Sequence, residues 1–203
     1  MSNSIQIVAV IGSGVMGAGI AAHCANAGCN VLLLDIVWEE RDRNSVANSA
    51  VKVMMKSNPE MLTHKRNAKL ITTGNIEDDL SMLSEVDWVI EVVIENLDVK
   101  RDLYSNISKH IGKSTIVSSN TSTIPRTKLV EHMQAEMASR FLITHFFNPP
   151  RYLPLLEVVT AEGVDSSITD RLSSFAENIL GKRVILCNDT PGFIGNRLGV
   201  YFI

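Results

Sequence analysis

Two side chains in the second half of the chain have the types needed for general acid–base chemistry. His145 ends one apolar run, and Glu157 lies inside another, over 155–160. A carboxylate on an apolar strand is costly unless a cation or a hydrogen-bond donor partners it, and His145 is the nearest candidate. An imidazole oriented by a carboxylate can take a hydroxyl proton while a hydride leaves the same carbon. Position alone favours a core histidine, and Glu157 shifts the interpretation towards an acid–base pair.

Near the start of the chain, five residues have the spacing of a phosphate-binding turn. Gly12, Gly14 and Gly17, with Val15 and Met16 between them, follow an apolar run and precede a small-residue helix. The first glycine turns the chain sharply, the second admits a pyrophosphate close to the backbone, and the third lets the helix pack on the sheet. The phosphate would lie on the free amides at the start of that helix. The pattern therefore predicts a dinucleotide-binding site.

A carboxylate at the end of the next predicted strand fits the same site. Asp35 lies at about the spacing where an acidic residue meets the adenosine ribose hydroxyls of a dinucleotide. It would repel a 2′-phosphate, so NAD is the predicted cofactor rather than NADP. A structural turn followed by a surface aspartate is the alternative, which the strand–turn–helix–strand context makes the weaker interpretation.

Further polar residues follow other predicted strands, where ligands gather in open α/β sheets. Glu95 could face a nicotinamide or cap the next helix, and Lys100 could reach a ribose or be a surface lysine. Asn120, a cofactor-binding candidate, shares a polar loop with Ser122, which could bind a substrate oxygen or belong to a helix-capping turn. Asn196 could contact the substrate or be a polar residue in the first turns of a helix.

These residues are carried by alternating strands and helices, which specify an α/β fold with a Rossmann-type, doubly wound, mostly parallel sheet and right-handed crossovers. Strands are predicted over 5–11, 30–35, 70–74, 87–93, 115–119, 140–147, 155–160 and 183–187. Helices are predicted over 18–28, 78–84, 97–111, 125–133, 166–180 and from 193 onwards. Residues 39 to about 69 are predicted to form a projecting helical hairpin, broken at Asn58-Pro59, between strands 2 and 3.

Composition excludes several classes of protein. The net charge of −3 without a basic stripe argues against nucleic-acid binding. No apolar run approaches the roughly 18 residues of a membrane-spanning helix, and the N-terminus lacks the charged start of a signal peptide, so a cytoplasmic location is expected. Three cysteines show neither disulfide nor metal-ligand spacing, so no metal site is predicted.

The sequence predicts one full domain and the beginning of another. Residues 1–190 are assigned to an NAD-binding Rossmann domain, and residues 191–203 to the start of a truncated C-terminal helical domain. The run 198–203 is hydrophobic, uncharged and uncapped, which is typical of a helix that continues into a further domain.

Six segments together resemble the 3-hydroxyacyl-CoA dehydrogenases. They occur in that family's order and cover nearly the whole chain. Their sequences most resemble the dehydrogenase unit of bacterial multifunctional β-oxidation proteins. The segments are Val10–Ile20, Glu95–Lys100, Ser119–Ser122, His145–Pro149, Leu156–Val158 and Pro191–Arg197.

The resemblance implies NAD-dependent oxidation of an (S)-3-hydroxyacyl-CoA to a 3-oxoacyl-CoA in fatty-acid β-oxidation. It implies that His145 and Glu157 are the catalytic pair, and that Ser122 and Asn196 bind the oxygen at C3 of the substrate.

The resemblance also implies where the cofactor and the CoA moiety lie. It places Asp35 on the adenosine ribose, Glu95 and Lys100 near the nicotinamide half, and Ser49 and Lys56 at the CoA moiety. The partners implied are an acyl-CoA substrate and, in the parent protein, a homodimer or a multienzyme chain.

Two other functions stay open. One is a related hydroxyacid dehydrogenase, such as a 3-hydroxybutyryl-CoA-specific or a 3-hydroxyisobutyrate-type enzyme. A panel of substrates with and without the CoA moiety separates the enzymes that require CoA from those that do not. The other is a non-catalytic module that binds dinucleotide as a sensor or oligomerisation surface, which predicts that His145→Ala is tolerated.

Overall fold

The alternating apolar and amphipathic segments fold into an eight-stranded sheet with helices on both faces. The structure, a computed structural model, describes residues 4–201. The strands are β1 (Ile7–Ile11), β2 (Asn30–Asp35), β3 (Ile71–Asn75), β4 (Trp88–Glu91), β5 (Ile116–Ser119), β6 (Phe141–Phe146), β7 (Leu155–Val159) and β8 (Arg183–Cys187). Their order is β3-β2-β1-β4-β5-β6-β7-β8; β7 runs antiparallel to β6, and β8 parallel to β7. The predicted Rossmann-type, mostly parallel sheet is confirmed.

Seven α-helices and two 3-10 helices connect the strands in the described range. The α-helices are α1 (Val15–Asn26), α2 (Ser45–Met54), α3 (Leu97–Ile107), α4 (Arg126–Val130), α5 (Ala135–Ala138), α6 (Ser166–Asn178) and α7 (Gly195–Tyr201); the 3-10 helices are Lys65–Leu70 and Leu80–Glu85. No helix within residues 4–201 has the length and hydrophobicity that crossing a membrane requires. The last two residues of the predicted C-terminal helix, 202 and 203, lie outside the described residues.

The segment between β2 and β3 differs from the predicted projecting hairpin. Its first half is α2, which buries Ala47, Ala50 and Met54 in the core against α1 and the sheet. The second half is a loop followed by a 3-10 helix, because Asn26 at the end of α1 binds the loop: its side-chain amide donates to the Met61 carbonyl at 2.8 Å. The connection therefore packs along the sheet.

Two predicted helices are shorter than expected. Helix α3 ends at Ile107, with Ser108 as its C-cap, rather than at residue 111. The helix predicted over 125–133 is α4, which ends at Val130; a separate short helix, α5, follows it and begins after Gln134, which is its extended N-cap.

Each buried strand contributes side chains to two cores, one on each face of the sheet. In β1, Val8 and Val10 belong to one apolar cluster, while Ala9 and Ile11 belong to the other. Burial on both faces fixes the strand register, since a slip of one residue would exchange the two sets. Strands β1, β4, β5 and β6 are parallel, so their carboxyl ends share one edge of the sheet. At that edge a crevice lies between β1 and β4, where the strand order reverses.

Candidate functional site

The glycine turn after β1 has a different steric reason at each glycine. Gly12 has a φ of 101°, and a Cβ there would lie 2.6 Å from the carbonyl oxygen of Val92. A Cβ on Gly17 would lie 1.8 Å from the Gly12 carbonyl oxygen, whereas one on Gly14 would meet no atom within 4 Å. The first and third glycines are thus required by packing within the fold. Gly14 faces open space, as a position where a phosphate approaches the backbone would.

Asp35 ties the end of β2 to this turn. Its Oδ2 accepts hydrogen bonds from the Ser13 amide and the Ser13 hydroxyl, both at 2.6 Å, and its Oδ1 accepts one from the Ile36 amide at 2.7 Å. The carboxylate is half-buried beside the turn, at the position that the sequence predicted for a ribose-binding acid.

A cleft of about 480 Å³ lies at the crevice between β1 and β4, beside Asp35. Its walls are mostly apolar and include Ile36, Ile76, Val93 and Val99. An apolar slot next to a carboxylate fits an adenosine, whose base is flat and whose ribose donates hydroxyl protons. Helix α1 has Gly14 as its N-cap, with no side chain capping its first amides and no acidic residue in its first turn. The residues present therefore fit a dinucleotide, with its pyrophosphate on α1.

His145 and Glu157 form a hydrogen-bonded pair at the carboxyl end of β6. The two residues are direct partners in the antiparallel register of β6 with β7, and His145 Nδ1 lies 2.7 Å from Glu157 Oε2. His145 is 5% exposed and Glu157 1% exposed. The ring centroids of Phe147 and Phe193 lie 4.6 and 5.7 Å from the imidazole centroid. An ionised carboxylate only accepts hydrogen bonds, so Nδ1 carries the proton and Nε2 is the basic atom.

The second oxygen of Glu157 binds the start of α7. Oε1 accepts the amides of Ile194 and Gly195 at 3.0 and 2.7 Å. A Cβ on Gly195 would lie 2.7 Å from the ring of Phe147, so the missing side chain is what lets this amide approach. One carboxylate thus orients His145 and anchors α7.

Ser122 and Asn196, which the sequence paired as oxygen-binding residues, are brought together in space. The side-chain amide of Asn196 donates to the backbone carbonyl of Ser122 at 3.1 Å. Asp189 holds the start of the neighbouring helix α4. The Asp189 carboxylate accepts hydrogen bonds from the amides of Arg126 and Thr127, at 2.6 and 2.8 Å. Asp189 was missed by the sequence reasoning, although an Asp in a turn is a common helix cap.

Two of the alternatives for Glu95 and Lys100 are wrong. Asn96, not Glu95, caps α3, accepting the amides of Asp98 and Val99. Lys100 is not a surface lysine, because it is 1% exposed and its ammonium lies 2.6 Å from Glu91 and 3.4 Å from Glu95.

Glu95 is bound instead to the loop after β5. Its Oε1 accepts hydrogen bonds from the Thr121 hydroxyl, the Thr123 hydroxyl at 2.9 Å and the amides of Ser122 and Thr123 at 3.1 Å. Burial would raise the pKa of Glu95, but these hydrogen bonds and the charge of Lys100 lower it overall. Glu95 is therefore an ionised group that shapes the Ser122 loop.

Asn120 and the two CoA candidates lie in different places. The side-chain oxygen of Asn120 accepts the Phe146 amide at 2.9 Å, which fixes the end of β6 beside His145. Ser49 is exposed on α2 and lines a cleft of about 430 Å³ together with Gly14. Lys56 is exposed two residues beyond α2 and does not line that cleft.

The sequence reasoning also missed Glu91, which is 0% exposed at the carboxyl end of β4. Its carboxylate binds four groups, including the Lys100 ammonium and the Ser119 hydroxyl, both at 2.6 Å. The signal was present: a carboxylate inside the apolar run 88–93 requires a partner for the same reason as Glu157.

Comparison with known proteins agrees with this geometry. The family described as "3-hydroxyacyl-CoA dehydrogenase, NAD binding domain" matches residues 7–190. A probable 3-hydroxyacyl-CoA dehydrogenase of Deinococcus radiodurans is 49% identical over 200 residues, which cover 98% of this chain and 58% of that protein. A Rickettsia felis protein named "Putative fatty acid oxidation complex trifunctional enzyme" is 44% identical over 204 residues, covering 100% of this chain and 28% of that protein.

A solved structure has the same fold. The crystal structure of 3-hydroxybutyryl-CoA dehydrogenase from Escherichia coli matches with a TM-score of 0.83 and 31% identity, over 97% of this chain and 41% of that chain. The chain thus spans little more than half, or less, of the length of these three proteins.

Proposed function

Because the chain belongs to the family of 3-hydroxyacyl-CoA dehydrogenase NAD-binding domains, we propose that it supplies the cofactor site and the acid–base pair of an NAD-dependent L-3-hydroxyacyl-CoA dehydrogenase. The reaction is (S)-3-hydroxyacyl-CoA + NAD⁺ ⇌ 3-oxoacyl-CoA + NADH + H⁺, within fatty-acid β-oxidation. The single observation that carries the proposal is the buried His145–Glu157 contact of 2.7 Å at the edge of the sheet where the dinucleotide cleft opens.

The chain's residues divide the reaction between them. NAD⁺, when bound, accepts the hydride that leaves C3. His145 Nε2 takes the hydroxyl proton in oxidation and returns it in reduction, while Glu157 holds the ring and balances the positive charge that the imidazole gains. Ser122 and Asn196 hydrogen-bond the C3 oxygen. Phe147 and Phe193 exclude water from the pair.

The cofactor and the CoA moiety would be held by separate groups. The pyrophosphate would be held by the start of α1, at Gly12, Gly14, Val15, Met16 and Gly17. Asp35 would bind the adenosine ribose, and Glu95, Lys100 and Asn120 would hold the nicotinamide half. Because Lys100 is enclosed, it would act through Glu95 and the adjoining backbone. Ser49 and Lys56 meet the CoA moiety, which the cleft beside Ser49 supports.

Domain organisation and assembly belong to the same proposal. The family match ending at 190 supports a boundary there, with residues 191–203 opening a helical domain. The name of the Rickettsia relative supports a multienzyme parent chain. A homodimer and a cytoplasmic location are proposed with it, and sedimentation and cell fractionation test them.

The test is NADH oxidation with acetoacetyl-CoA. It is run on the chain alone and on a fused form, in which the chain is joined to the part of the Deinococcus relative that it does not cover. Each form has a His145→Ala control. We expect activity in the fused form that His145→Ala abolishes. NADH binding without activity in either form would favour a non-catalytic dinucleotide-binding module.

A further inference from the structure

Four side chains form a buried polar cluster at the carboxyl end of β4: Glu91, Lys100, Tyr104 and Ser119, none more than 3% exposed. Glu91 Oε1 accepts from the Lys100 ammonium at 2.6 Å and the Val93 amide at 2.7 Å. Oε2 accepts from the Tyr104 and Ser119 hydroxyls, both at 2.6 Å. Both carboxylate oxygens are thus fully used by groups from α3, from β5 and from the backbone just beyond β4, so the carboxylate has a single defined orientation.

The first connection from Glu91 to the site runs through Ser119. Because the Ser119 hydroxyl gives its proton to Glu91, its oxygen is free to accept the amide of Thr121, at 3.2 Å. This turn starts the loop 119–123, which carries Ser122.

The second connection runs through Lys100. The ammonium lies between Glu91 Oε1 at 2.6 Å and Glu95 Oε2 at 3.4 Å, so its charge is shared by the two carboxylates. The other oxygen of Glu95, Oε1, accepts the hydroxyls of Thr121 and Thr123 and the amides of Ser122 and Thr123. Both connections therefore end in the same loop.

We propose that Glu91 is a positioning residue: it fixes the loop 119–123, and with it Ser122, at the nicotinamide side of the cleft. This inference rests on the proposed function, since it concerns how that cofactor is held. In the described structure Glu91 does not line the cleft beside Asp35, which it meets only through the Val93 amide, and it does not contact the His145–Glu157 pair. Its influence should therefore fall on the nicotinamide half of NADH and spare the adenosine half.

The variant that tests this is Glu91→Gln. Its carbonyl oxygen can still accept the Val93 amide, while its NH₂ group replaces Oε2 and the negative charge opposite Lys100 is lost. The Ser119 hydroxyl then loses its acceptor, and the ammonium keeps only a neutral acceptor at position 91, so its charge draws Glu95 towards it and away from Thr121 and Thr123. We expect the Kd for NADH to rise by about tenfold, the effect of one charged hydrogen bond, and the Kd for 5′-AMP to stay within about twofold.

Two further variants separate positioning from folding. Tyr104→Phe removes a neutral hydroxyl from the same carboxylate and leaves the loop connections intact, so the NADH Kd should change by less than about twofold. Lys100→Met removes the ammonium and with it only the second connection, so Glu91→Gln added to it should weaken NADH binding by less than Glu91→Gln does alone, because only the connection through Ser119 is still to be lost.

Titration of the 203-residue chain with NADH and with 5′-AMP, followed by calorimetry, decides between the outcomes. Equal weakening of both nucleotides by Glu91→Gln, an unchanged NADH Kd, an effect of Tyr104→Phe as large as that of Glu91→Gln, or additive effects with Lys100→Met would each overturn the inference. If the unaltered chain binds neither nucleotide, the proposed function fails first, and this inference fails with it.

Discussion

At the scale of single residues, Glu157 is the group with the most demands on it. One of its oxygens accepts from His145, and the other accepts the amides of Ile194 and Gly195. A neutral side chain of the same shape cannot meet both demands, because an amide has one accepting and one donating end. The charge of Glu157 is thus required by its surroundings on both sides.

The corresponding prediction is that Glu157→Gln lowers kcat by about two to four orders of magnitude and changes KM far less. If the glutamine carbonyl accepts the α7 amides, its NH₂ group faces His145 Nδ1 and the ring proton moves to Nε2, where it blocks the base. Steady-state kinetics of acetoacetyl-CoA reduction in the fused form measures this. Glu162→Gln, at an exposed carboxylate three residues beyond β7, is the control, and an unchanged kcat in Glu157→Gln would remove Glu157 from the mechanism.

At the scale of elements, the turn from β1 into α1 combines a packing requirement with an open binding position. The Gly12 carbonyl occupies the place where a side chain at Gly17 would lie. Gly14, in contrast, has space around it and an ordinary φ of −61°. The same residue type therefore serves two purposes three positions apart.

We predict opposite outcomes for alanine at these two glycines. Gly17→Ala should lower the free energy of unfolding by about 3 kcal/mol or more, because the Cβ overlaps a backbone oxygen that cannot move freely. Gly14→Ala should keep the unfolding midpoint and weaken NADH binding, because its Cβ occupies the phosphate position. Urea unfolding and NADH titration of both variants test this, and equal loss of stability in the two would contradict it.

The elements that the sequence predicted well are those whose signal is local. Near-continuous apolar runs identified the strands. The charge inside the apolar run 155–160 identified Glu157 as a residue that needs a buried partner. The loop that follows α2 was not predictable, because Asn26 of α1 holds it by contacts 35 and 37 residues away. Glu91 carried the same signal as Glu157, but three of its four donors come from α3 and β5, which only the fold brings next to β4.

At the scale of the whole molecule, a half-buried histidine couples stability to pH. His23 on α1 donates from Nε2 to the carbonyl of Leu180, at 3.0 Å, near the buried ammonium of Lys182. Burial and the Lys182 charge lower the pKa of His23 from 6.5 to about 4. Between these values the unfolded chain binds a proton that the folded chain does not.

The folded state should therefore lose stability as the pH falls from 6.5 to 4, by at most about 3 kcal/mol from this group. His23→Gln, whose amide can also donate to Leu180, should remove that part of the pH dependence. His132→Gln, at an exposed histidine, should leave it unchanged. Urea unfolding at pH 7 and pH 4.5 measures the difference, and an equal acid loss in His23→Gln would refute the assignment.

The antiparallel pairing of β6 with β7 also bears on how such a site can diversify. His145 and Glu157 face each other because they share a rung of the ladder, so their separation does not depend on the residues that join the two strands. The connection, 147–154, is pinned separately, by Lys182 donating to the carbonyls of Pro150 and Leu153. Insertions or deletions beyond Phe147, whose ring packs on the imidazole, could accumulate between lineages and reshape the neighbouring surface while the pair stays together. The chemistry is inherited with the strands, and the loop is left open to variation.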